Sequence, residues 1–324
     1  MVSRRRFIRI SAAAAGLTIL PFGRFAKADA SLVVWRGTLL GAVATMQIHH
    51  EDRDEAQRLV SLANTEARRL ERLFSLYLED SALVELNRSS ILVAPATELV
   101  DLLTISRRYA ELTKGMFDPT VQPLWDLYAN HFSQAIADPA GPPRSAVRAA
   151  LTHVGCDRLT ISRDRIVMPR GTAVTLNGIA QGYVTDKIVD LLRSRGVVHS
   201  LVDMGETRAI GSRPDGQPWE VGIADPDLPS RTEAIMPIID RAVSTSGAYG
   251  FRFDPQRPLQ PSLRSCDRRL CLSVPRGDDR FQECDRRRRF IHGVQLHDQA
   301  SDPVGVAARR YRACSYHRYD RSDF

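Results

Sequence analysis

Regular hydrophobic patterns run along the chain between residues 31 and 255. Residues 31–50 alternate apolar and polar side chains, which predicts two strands joined near Gly37–Gly41. Between Asp54 and Phe74, apolar residues recur at spacings of three and four, which predicts a long helix with one buried stripe. A second helix is predicted from Ala96 to Lys114 and should stop at Gly115.

The region after this second helix mixes short strands and helices. A Pro-rich loop at 135–145 precedes a short helix that Gly155 should close. The remaining predicted elements are a strand pair around the turn at Arg163-Asp164, a strand, turn and helix over 173–196, and strands at 199–205, 219–226 and 241–247. Because helices are interleaved with antiparallel strand pairs, the pattern favours an α+β fold over a doubly wound sheet.

The hydrophobic pattern stops near Gln256, and the composition changes at the same point. Residues 257–324 contain fifteen Arg, no Lys and nine acidic residues, and they hold four of the five Cys. Residues 1–28 contain five Arg, one Lys and no acidic residue. Each end therefore carries +6 of a total charge of +7, which leaves −5 on residues 29–256. The basic balance belongs to the ends and does not indicate a nucleic-acid-binding face on the domain between them.

The N-terminus has the pattern of an export signal. An Arg-rich start containing SRRRF, an apolar core and an Ala26-Lys27-Ala28 cleavage site favour a twin-arginine signal over residues 1–28. The apolar stretch is interrupted by Gly16 and Pro21 and is too short to span a bilayer in the mature protein. We expect a periplasmic protein starting near Asp29; a Sec signal or an uncleaved membrane anchor is the alternative.

The segment TLNGIAQGYVTD, residues 175–186, is the most informative motif. A strand is predicted to end at Leu176, with a turn at Asn177-Gly178 and a helix from about Ala180. Gly178 lets the backbone and a ligand approach closely, and a helix N-terminus presents N–H groups to an anion, as phosphate binding requires. Taken alone, a glycine between a strand and a helix more often serves only to end one element and begin the next.

Two other segments could contact a ligand. In TKGMFDPTVQPLW, Phe117 and Asp118 could hold a flat ring and its polar edge; the alternative is that Phe117 belongs to the core and Asp118 caps a turn. In LFSLYLEDSALVELN, Tyr77 follows the long helix, and Asp80 or Ser81 is a natural N-cap for a helix leading to Asn87.

In their order and separations, these motifs resemble those of the FAD:protein FMN transferases of the ApbE type. The family patterns S-x-Y-x-x-D-S-x-L-x-x-x-N, G-x-F-D-P-T-V and D-L-G-G-I-A-K-G-Y-x-x-D correspond to residues 75–87, 115–121 and 175–186. Segments resembling W-x-V-G-I-x-D-P and T-S-G-x-Y follow at 219–226 and 245–249. The resemblance covers nearly all of residues 32–255.

The resemblance implies an enzyme that moves FMN from FAD to a threonine hydroxyl of an acceptor flavoprotein and releases AMP, with Mg²⁺. It implies that six residues contact FAD. Along the flavin ring it implies Tyr77, Met116, Phe117 and Asp118, and the other two contacts are Thr175 and Gln181. It also implies that the Gly178 carbonyl is a metal ligand, consistent with the preference of Mg²⁺ for oxygen donors.

The sequence departs from the family pattern inside the central motif. Thr175 replaces the family's Asp, Asn177 replaces the first Gly and Gln181 replaces the Lys. The form LNGIAQGY resembles the branch that accompanies nitrous-oxide reductase maturation, which implies a membrane flavoprotein of nitrous-oxide respiration as acceptor.

The Arg-rich tail lacks two further family motifs, H-H-x-x-D-P-x-T-G and A-D-A-L-x-T-A, whose Asp and Thr are implied Mg²⁺ ligands. A reading frame displaced by one base can restore both, because consecutive CGN codons for Arg then become GNC codons. Residues 257–268 permit GRFNHLFDPATG in that frame, and residues 287–294 permit ADALSTAF. This pattern favours a frameshift after about Gln256, through a sequencing error or a pseudogene. A genuine, disordered Arg-rich tail that binds nucleic acid or anionic lipid is the alternative.

The predicted organisation is therefore an export signal at 1–28, an incomplete flavin transferase domain at 29–256 and a frameshifted, disordered tail at 257–324. We expect this chain to bind Mg²⁺ poorly and to have little activity. Competing interpretations are a flavin carrier or pseudoenzyme that binds FAD without transfer, and a periplasmic scaffold that binds no flavin. An export signal argues against a nucleic-acid partner.

Overall fold

The computed structural model describes residues 17–19, 32–224, 231–246, 265–266, 269–270, 293–298 and 313–314. The described helices are α1 (Arg53–Phe74), α2 (Ala82–Ser89), α3 (Thr97–Leu112), α4 (Gln122–Phe132), α5 (Arg144–Leu151) and α6 (Ala180–Ser194), with a 3-10 turn at Cys156–Arg158.

The strands pair into four antiparallel sheets. The described strands are β1 (Leu17–Ile19), β2 (Leu32–Leu39), β3 (Ala42–His49), β4 (Ile91–Val93), β5 (Thr160–Ile161), β6 (Arg165–Val167), β7 (His199–Asp203), β8 (Thr207–Ile210), β9 (Trp219–Ala224), β10 (Thr232–Ile238), β11 (Arg241–Ser246), β12 (Ser265–Cys266), β13 (Arg269–Leu270), β14 (Gly293–Asp298) and β15 (Ala313–Cys314). The largest sheet has seven strands in the order β15-β14-β11-β8-β7-β3-β2. The others are β1-β9-β10, β4-β6-β5 and β12-β13. Mixed helices with antiparallel sheets confirm the predicted α+β class.

The long amphipathic helix forms where its spacing predicts. The Asp52 side chain caps α1 by accepting hydrogen bonds from the backbone N–H groups of Asp54 and Glu55. The buried residues of α1 repeat every three to four positions and pack into the main core together with α2, α3, α6 and the large sheet. The β2–β3 hairpin is also confirmed, with its turn at Leu40-Gly41.

Three clusters of buried side chains hold the described part of the chain together. The main cluster fills the space between the helices and one face of the seven-stranded sheet. A second cluster, around Trp219 and Leu201, joins that sheet to the β9–β10 pair. A third, around Leu124 and Tyr128, joins α4 to α5. Since α1, α3 and α6 are fixed in the main cluster, the loops at their ends have defined positions.

Two local predictions are wrong. Gly155 does not close α5, which ends at Leu151; instead Gly155 has φ 144° and starts the 3-10 turn. Residues 172–176 are not a strand of any sheet. Their backbone groups bond instead to a side chain of α2 and to the loop after α3, so they have no strand partner.

The predicted end segments lie mostly outside the described residues. In the predicted signal, the structure describes only β1; in residues 257–324 it describes the four short strands β12 to β15, of which β14 pairs with β11. Among the described residues, no helix has the length and apolar character needed to cross a membrane.

Candidate functional site

Four chain segments meet at the start of α6. We refer to them as the Tyr77 loop (75–81), the Phe117 loop (113–121), the Gly178 turn (172–179) and the β7–β8 turn (204–206). The Gly178 turn contacts the Tyr77 loop and the Phe117 loop, and the beginning of α6 contacts the β7–β8 turn. These segments carry the motifs that the sequence analysis selected.

The Tyr77 loop is fixed by two serines. The Ser75 hydroxyl accepts hydrogen bonds from the backbone N–H groups of Tyr77 and Leu78, at 3.0 and 3.3 Å. The buried Ser81 hydroxyl donates to the Ser75 carbonyl at 2.5 Å and accepts from Val84 N–H at 3.1 Å. Ser81, rather than Asp80, is therefore the N-cap of α2. Tyr77 is half-buried at the tip of this constrained loop.

The Phe117 loop is held by a hydrogen-bond network around Asp118. One carboxylate oxygen of Asp118 accepts from the N–H and the hydroxyl of Thr120, at 2.8 and 2.6 Å. The other accepts from Cys156 N–H at 3.3 Å. Thr120 is fully buried, and its hydroxyl also accepts from Gly155 N–H at 2.7 Å. Both Asp118 oxygens thus bond within the protein and fix this loop to the 3-10 turn.

Phe117 faces the Gly178 turn. Its N–H donates to the Thr113 hydroxyl at 3.0 Å, and its ring lies edge-on to Tyr109 with centroids 6.4 Å apart. A Cβ added at Gly178 would lie 3.5 Å from Cε2 of Phe117. Met116 precedes Phe117 and is half-buried. The Phe117 ring therefore packs against the main core cluster and also lines the site.

The Gly178 turn is fixed by hydrogen bonds to distant residues. The Asn87 side chain of α2 donates to the Val174 carbonyl at 2.8 Å and accepts from Val174 N–H at 2.7 Å. Thr175 N–H donates to the Pro119 carbonyl at 2.7 Å. These three bonds pair backbone N–H and C=O groups that would otherwise bond to a neighbouring strand. The predicted strand is therefore absent.

Helix α6 begins at the Gly178 turn without a side-chain cap. Its N-cap residue is Ile179, and the first turn contains no acidic side chain. Gly178 is exposed, and a Cβ added at Gly182 would meet nothing within 4 Å. An exposed, uncapped helix N-terminus attracts anions through its N–H groups and its dipole.

The β7–β8 turn packs against the first turn of α6. Gly205 has φ 103°, and a Cβ there would lie 2.5 Å from Cδ of Gln181. Glycine is required here by the backbone angle, and it makes room for the Gln181 amide. The Thr185 hydroxyl donates to the Glu206 carbonyl at 3.0 Å, which fixes the turn against α6.

Two ionisable groups near the site have raised pKa values. Burial raises the pKa of Asp203, against the opposing effect of hydrogen bonds from Gly205 N–H and the Thr207 hydroxyl. Burial also raises the pKa of the Cys156 thiol to about 12, and the Asp118 carboxylate adds to the shift. Cys156 is therefore a neutral thiol near pH 7 and is unsuited to act as a nucleophile.

The described residues do not complete a metal centre. Within them, no group of three or more His, Cys, Asp or Glu side chains is placed to hold a metal ion. The Gly178 carbonyl is an exposed oxygen donor, but a single carbonyl is not a magnesium site.

The structure brings most of the predicted site residues to one place. Tyr77, Phe117, Thr175 and Gly178 lie on loops in mutual contact, and Gln181 is in the first turn of α6. Asp118 belongs to the same loop, but its carboxylate is used within the protein. The sequence did not predict the side-chain contacts of three residues that build the site, Asn87, Thr120 and Asn177. Their function depends on partners 35 to 100 positions away.

Comparison with known proteins decides the family. The sequence model described as the ApbE family matches residues 40–260. The chain belongs to the ApbE family. Like the motifs, the match spans all four site segments, so the family resemblance inferred from the sequence is confirmed.

The curated relatives of this ApbE-family chain have one name in common. A protein named FAD:protein FMN transferase from Escherichia coli (strain K12) is 29% identical over 263 residues, which are 74% of this chain and 74% of that protein. One of the same name from Salmonella typhimurium is 29% identical over 253 residues, 72% of each. One from Klebsiella pneumoniae is 28% identical over 233 residues, and the match covers 66% of it.

Solved structures share the fold. The apo form of the Pseudomonas stutzeri flavinyl transferase ApbE matches with a TM-score of 0.57 and 26% identity, covering 67% of this chain and 68% of that one. The ApbE protein of Thermotoga maritima matches with a TM-score of 0.59 and 24% identity, covering 68% and 71%. The α+β architecture is therefore that of ApbE flavin transferases.

Proposed function

We propose that this chain binds FAD at the start of α6 and transfers the FMN portion to a hydroxyl group of an acceptor protein. The observation that carries the proposal is the position of the Gly178 turn, which contacts both the Tyr77 loop and the Phe117 loop. Relatives that match 72% and 74% of this chain are named FAD:protein FMN transferase.

Different parts of the site suit the diphosphate and the flavin ring of FAD. The N–H groups of Ile179 and Ala180 already donate to the Leu176 carbonyl. The uncapped start of α6 therefore offers the next N–H groups of its first turn, those of Gln181 and Gly182, to the diphosphate. The aromatic rings of Tyr77 and Phe117, together with Met116, offer a surface for the flavin ring. Thr175 and Gln181 flank the turn and contribute polar groups without adding charge. These assignments make the site a binding surface for a flat ring joined to a diphosphate.

The proposed reaction exchanges the phosphoanhydride bond of the FAD diphosphate for a phosphate ester bond to the acceptor hydroxyl. The acceptor hydroxyl oxygen bonds to the phosphorus of the FMN half while the bond from this phosphorus to the bridging oxygen breaks. AMP leaves with the bridging oxygen, and the hydroxyl proton passes to water. Such a transfer requires mainly that the diphosphate be held in line and its charge be neutralised. The described residues perform the holding.

Mg²⁺, when bound, would supply neutralisation of the charge on the diphosphate. The Gly178 carbonyl is the donor proposed from the described residues. We infer that further oxygen ligands belong to the sequence encoded in the displaced frame after Gln256. The support for this inference is the recovery of DPATG and ADALSTA from residues 257–294 by one displacement in one direction. The chain as given should then bind FAD more readily than it transfers FMN.

Location and acceptor follow from the sequence motifs. We propose export by the twin-arginine signal of residues 1–28, so that the enzyme works in the periplasm. The acceptor is proposed to be a membrane flavoprotein with a threonine on its periplasmic side. The form LNGIAQGY supports a flavoprotein of nitrous-oxide respiration as that acceptor.

To test the proposal, the purified protein is incubated with FAD, MgCl₂ and a periplasmic acceptor domain. The measurements are AMP release by chromatography and covalent flavin on the acceptor threonine by mass spectrometry. We expect the version with the restored frame to transfer FMN at least about 100-fold faster than the chain as given, because transition-state charge is then neutralised. Equal rates would contradict the frameshift. FAD binding without AMP release in both versions would identify a flavin carrier instead.

A further inference from the structure

One direct side-chain contact joins the Tyr77 loop to the Gly178 turn. The Nδ2 group of Asn177 donates a hydrogen bond to the phenol oxygen of Tyr77 at 2.8 Å. The two residues are 100 positions apart in the sequence. Asn177 is exposed and Tyr77 is half-buried, so the contact lies at the protein surface, beside Gly178.

Both ends of this contact are held by the backbone. Tyr77 N–H donates to the Ser75 hydroxyl at 3.0 Å, within the constrained Tyr77 loop. Asn177 N–H donates to the Thr175 hydroxyl at 3.3 Å, and Thr175 N–H donates to the Pro119 carbonyl. A hydrogen bond between two such fixed points limits the rotation of the Tyr77 ring, which has only two side-chain torsions.

The residue at position 177 distinguishes this chain from the general family pattern. That pattern has glycine there, as noted in the sequence analysis, and glycine has no side chain that could reach a phenol. We propose that Asn177 is a positioning residue that fixes the Tyr77 ring for contact with the flavin. The inference rests on the proposed function, since it names the group that orients one wall of the FAD site.

The contact has a defined consequence for binding. An aromatic side chain held in one orientation loses less freedom when a flat ligand packs on it, which increases affinity. Removal of the Asn177 amide takes away the hydrogen bond to the Tyr77 phenol, and removal of the Tyr77 hydroxyl deprives the amide of its acceptor. Both changes break one interaction, so their effects on FAD binding should overlap rather than add.

A double-mutant cycle on the full-length chain tests this overlap. The dissociation constant of FAD is measured by flavin fluorescence titration for the unmodified chain, Asn177→Ala, Tyr77→Phe and the double variant. We expect each single variant to weaken binding about fivefold, the value of one ordinary hydrogen bond, and the double variant to be no weaker than either. Asn130→Ala, at an exposed position on α4, is the matched control and should bind FAD as the unmodified chain does.

A second measurement separates positioning from folding. The melting temperature without FAD should be nearly the same for all four proteins, because Asn177 is exposed. Asn177→Gly should behave as Asn177→Ala does, whereas Asn177→Gln, which retains an amide, should recover part of the affinity.

The outcomes are distinct. Independent, multiplicative losses in the double variant, or an Asn177→Ala variant with unchanged affinity, would overturn the inference while leaving the proposed function intact. An unmodified chain that binds no FAD would refute the proposed binding step and this inference with it.

Discussion

The Phe117 loop and the Gly178 turn use their polar groups in opposite ways. In the Phe117 loop, Asp118 and Thr120 bond to each other and to the backbone of Gly155 and Cys156, and Thr120 is fully buried. In the Gly178 turn, the structural bonds come from outside, from Asn87 and from the Pro119 carbonyl. The side of the turn at Gly178 stays exposed.

This difference separates two roles within one set of family motifs. Polar residues of the Phe117 loop build the scaffold, whereas the Gly178 turn is held by other segments and is exposed at Asn177 and Gly178. A motif residue can therefore also hold the scaffold together. Asp118 is the example, since both its carboxylate oxygens bond inside the protein, and its contact with the flavin stays a prediction.

The largest effect on stability should come from the scaffold loop. Thr120→Val keeps the side-chain shape but removes the hydroxyl that joins Asp118 to Gly155. We expect a loss of about 3 kcal/mol in the free energy of unfolding, because the half-buried Gly155 N–H loses its partner and the Asp118 oxygen loses one of its two donors. Urea unfolding measures it. Thr104→Val, at an exposed position on α3, should change stability by less than about 0.5 kcal/mol. Similar losses in both variants would show that the Asp118 network is not a scaffold.

A smaller effect should follow when the external support of the Gly178 turn is removed. Asn87→Ala deletes both hydrogen bonds to Val174 and should cost about 2 kcal/mol of unfolding free energy. Affinity for FAD should also fall, because residues 175–178 are then less constrained. Fluorescence titration and urea unfolding of the same preparation measure both quantities, with Asn130→Ala as control. Lost stability with unchanged affinity would separate the turn from the ligand site.

The smallest effect concerns the pH dependence of stability at the β7–β8 turn. The pKa of Asp203 is raised in the folded protein by burial, so the folded state binds this proton more tightly than the unfolded state does. Its contribution to stability is present below the ordinary Asp pKa of 3.8 and is lost as pH rises through the folded pKa. Asp203→Asn cannot titrate.

Melting curves taken at several pH values between about 3 and 7 measure this contribution. The stability of the unmodified chain relative to Asp203→Asn should decrease as pH rises. A relative stability that increases with pH would mean that the hydrogen bonds from Gly205 and Thr207 outweigh burial.

Elements specified by nearby residues could be predicted from the sequence. The repeat of apolar residues predicts α1 to within one residue at its start, and alternation predicts the β2–β3 hairpin. The Ser81 cap is a local signal as well. In each case the residues that decide the structure lie within a few positions of one another.

Elements specified by distant partners could not be predicted in this way. The segment before Leu176 has the composition of a strand, but its backbone bonds to Asn87, 87 positions away, and so it joins no sheet. The role of Asn177 depends on Tyr77, 100 positions away. The order of the motifs indicated the family. Only the three-dimensional structure distinguished motif residues that hold loops in place, such as Asp118, from those that are exposed, such as Gly178.

The central claim is that FAD binds at the exposed start of α6. The most direct measurement is FAD titration of the full-length chain with MgCl₂, comparing the unmodified chain with Gly178→Glu and with Asn130→Glu, at an exposed position on α4. A carboxylate at the helix N-terminus should repel the diphosphate. We therefore expect the unmodified chain to bind FAD saturably, Gly178→Glu to weaken this binding at least about tenfold, and Asn130→Glu to leave it unchanged. Equal affinity in all three proteins, or no binding by the unmodified chain, would contradict it.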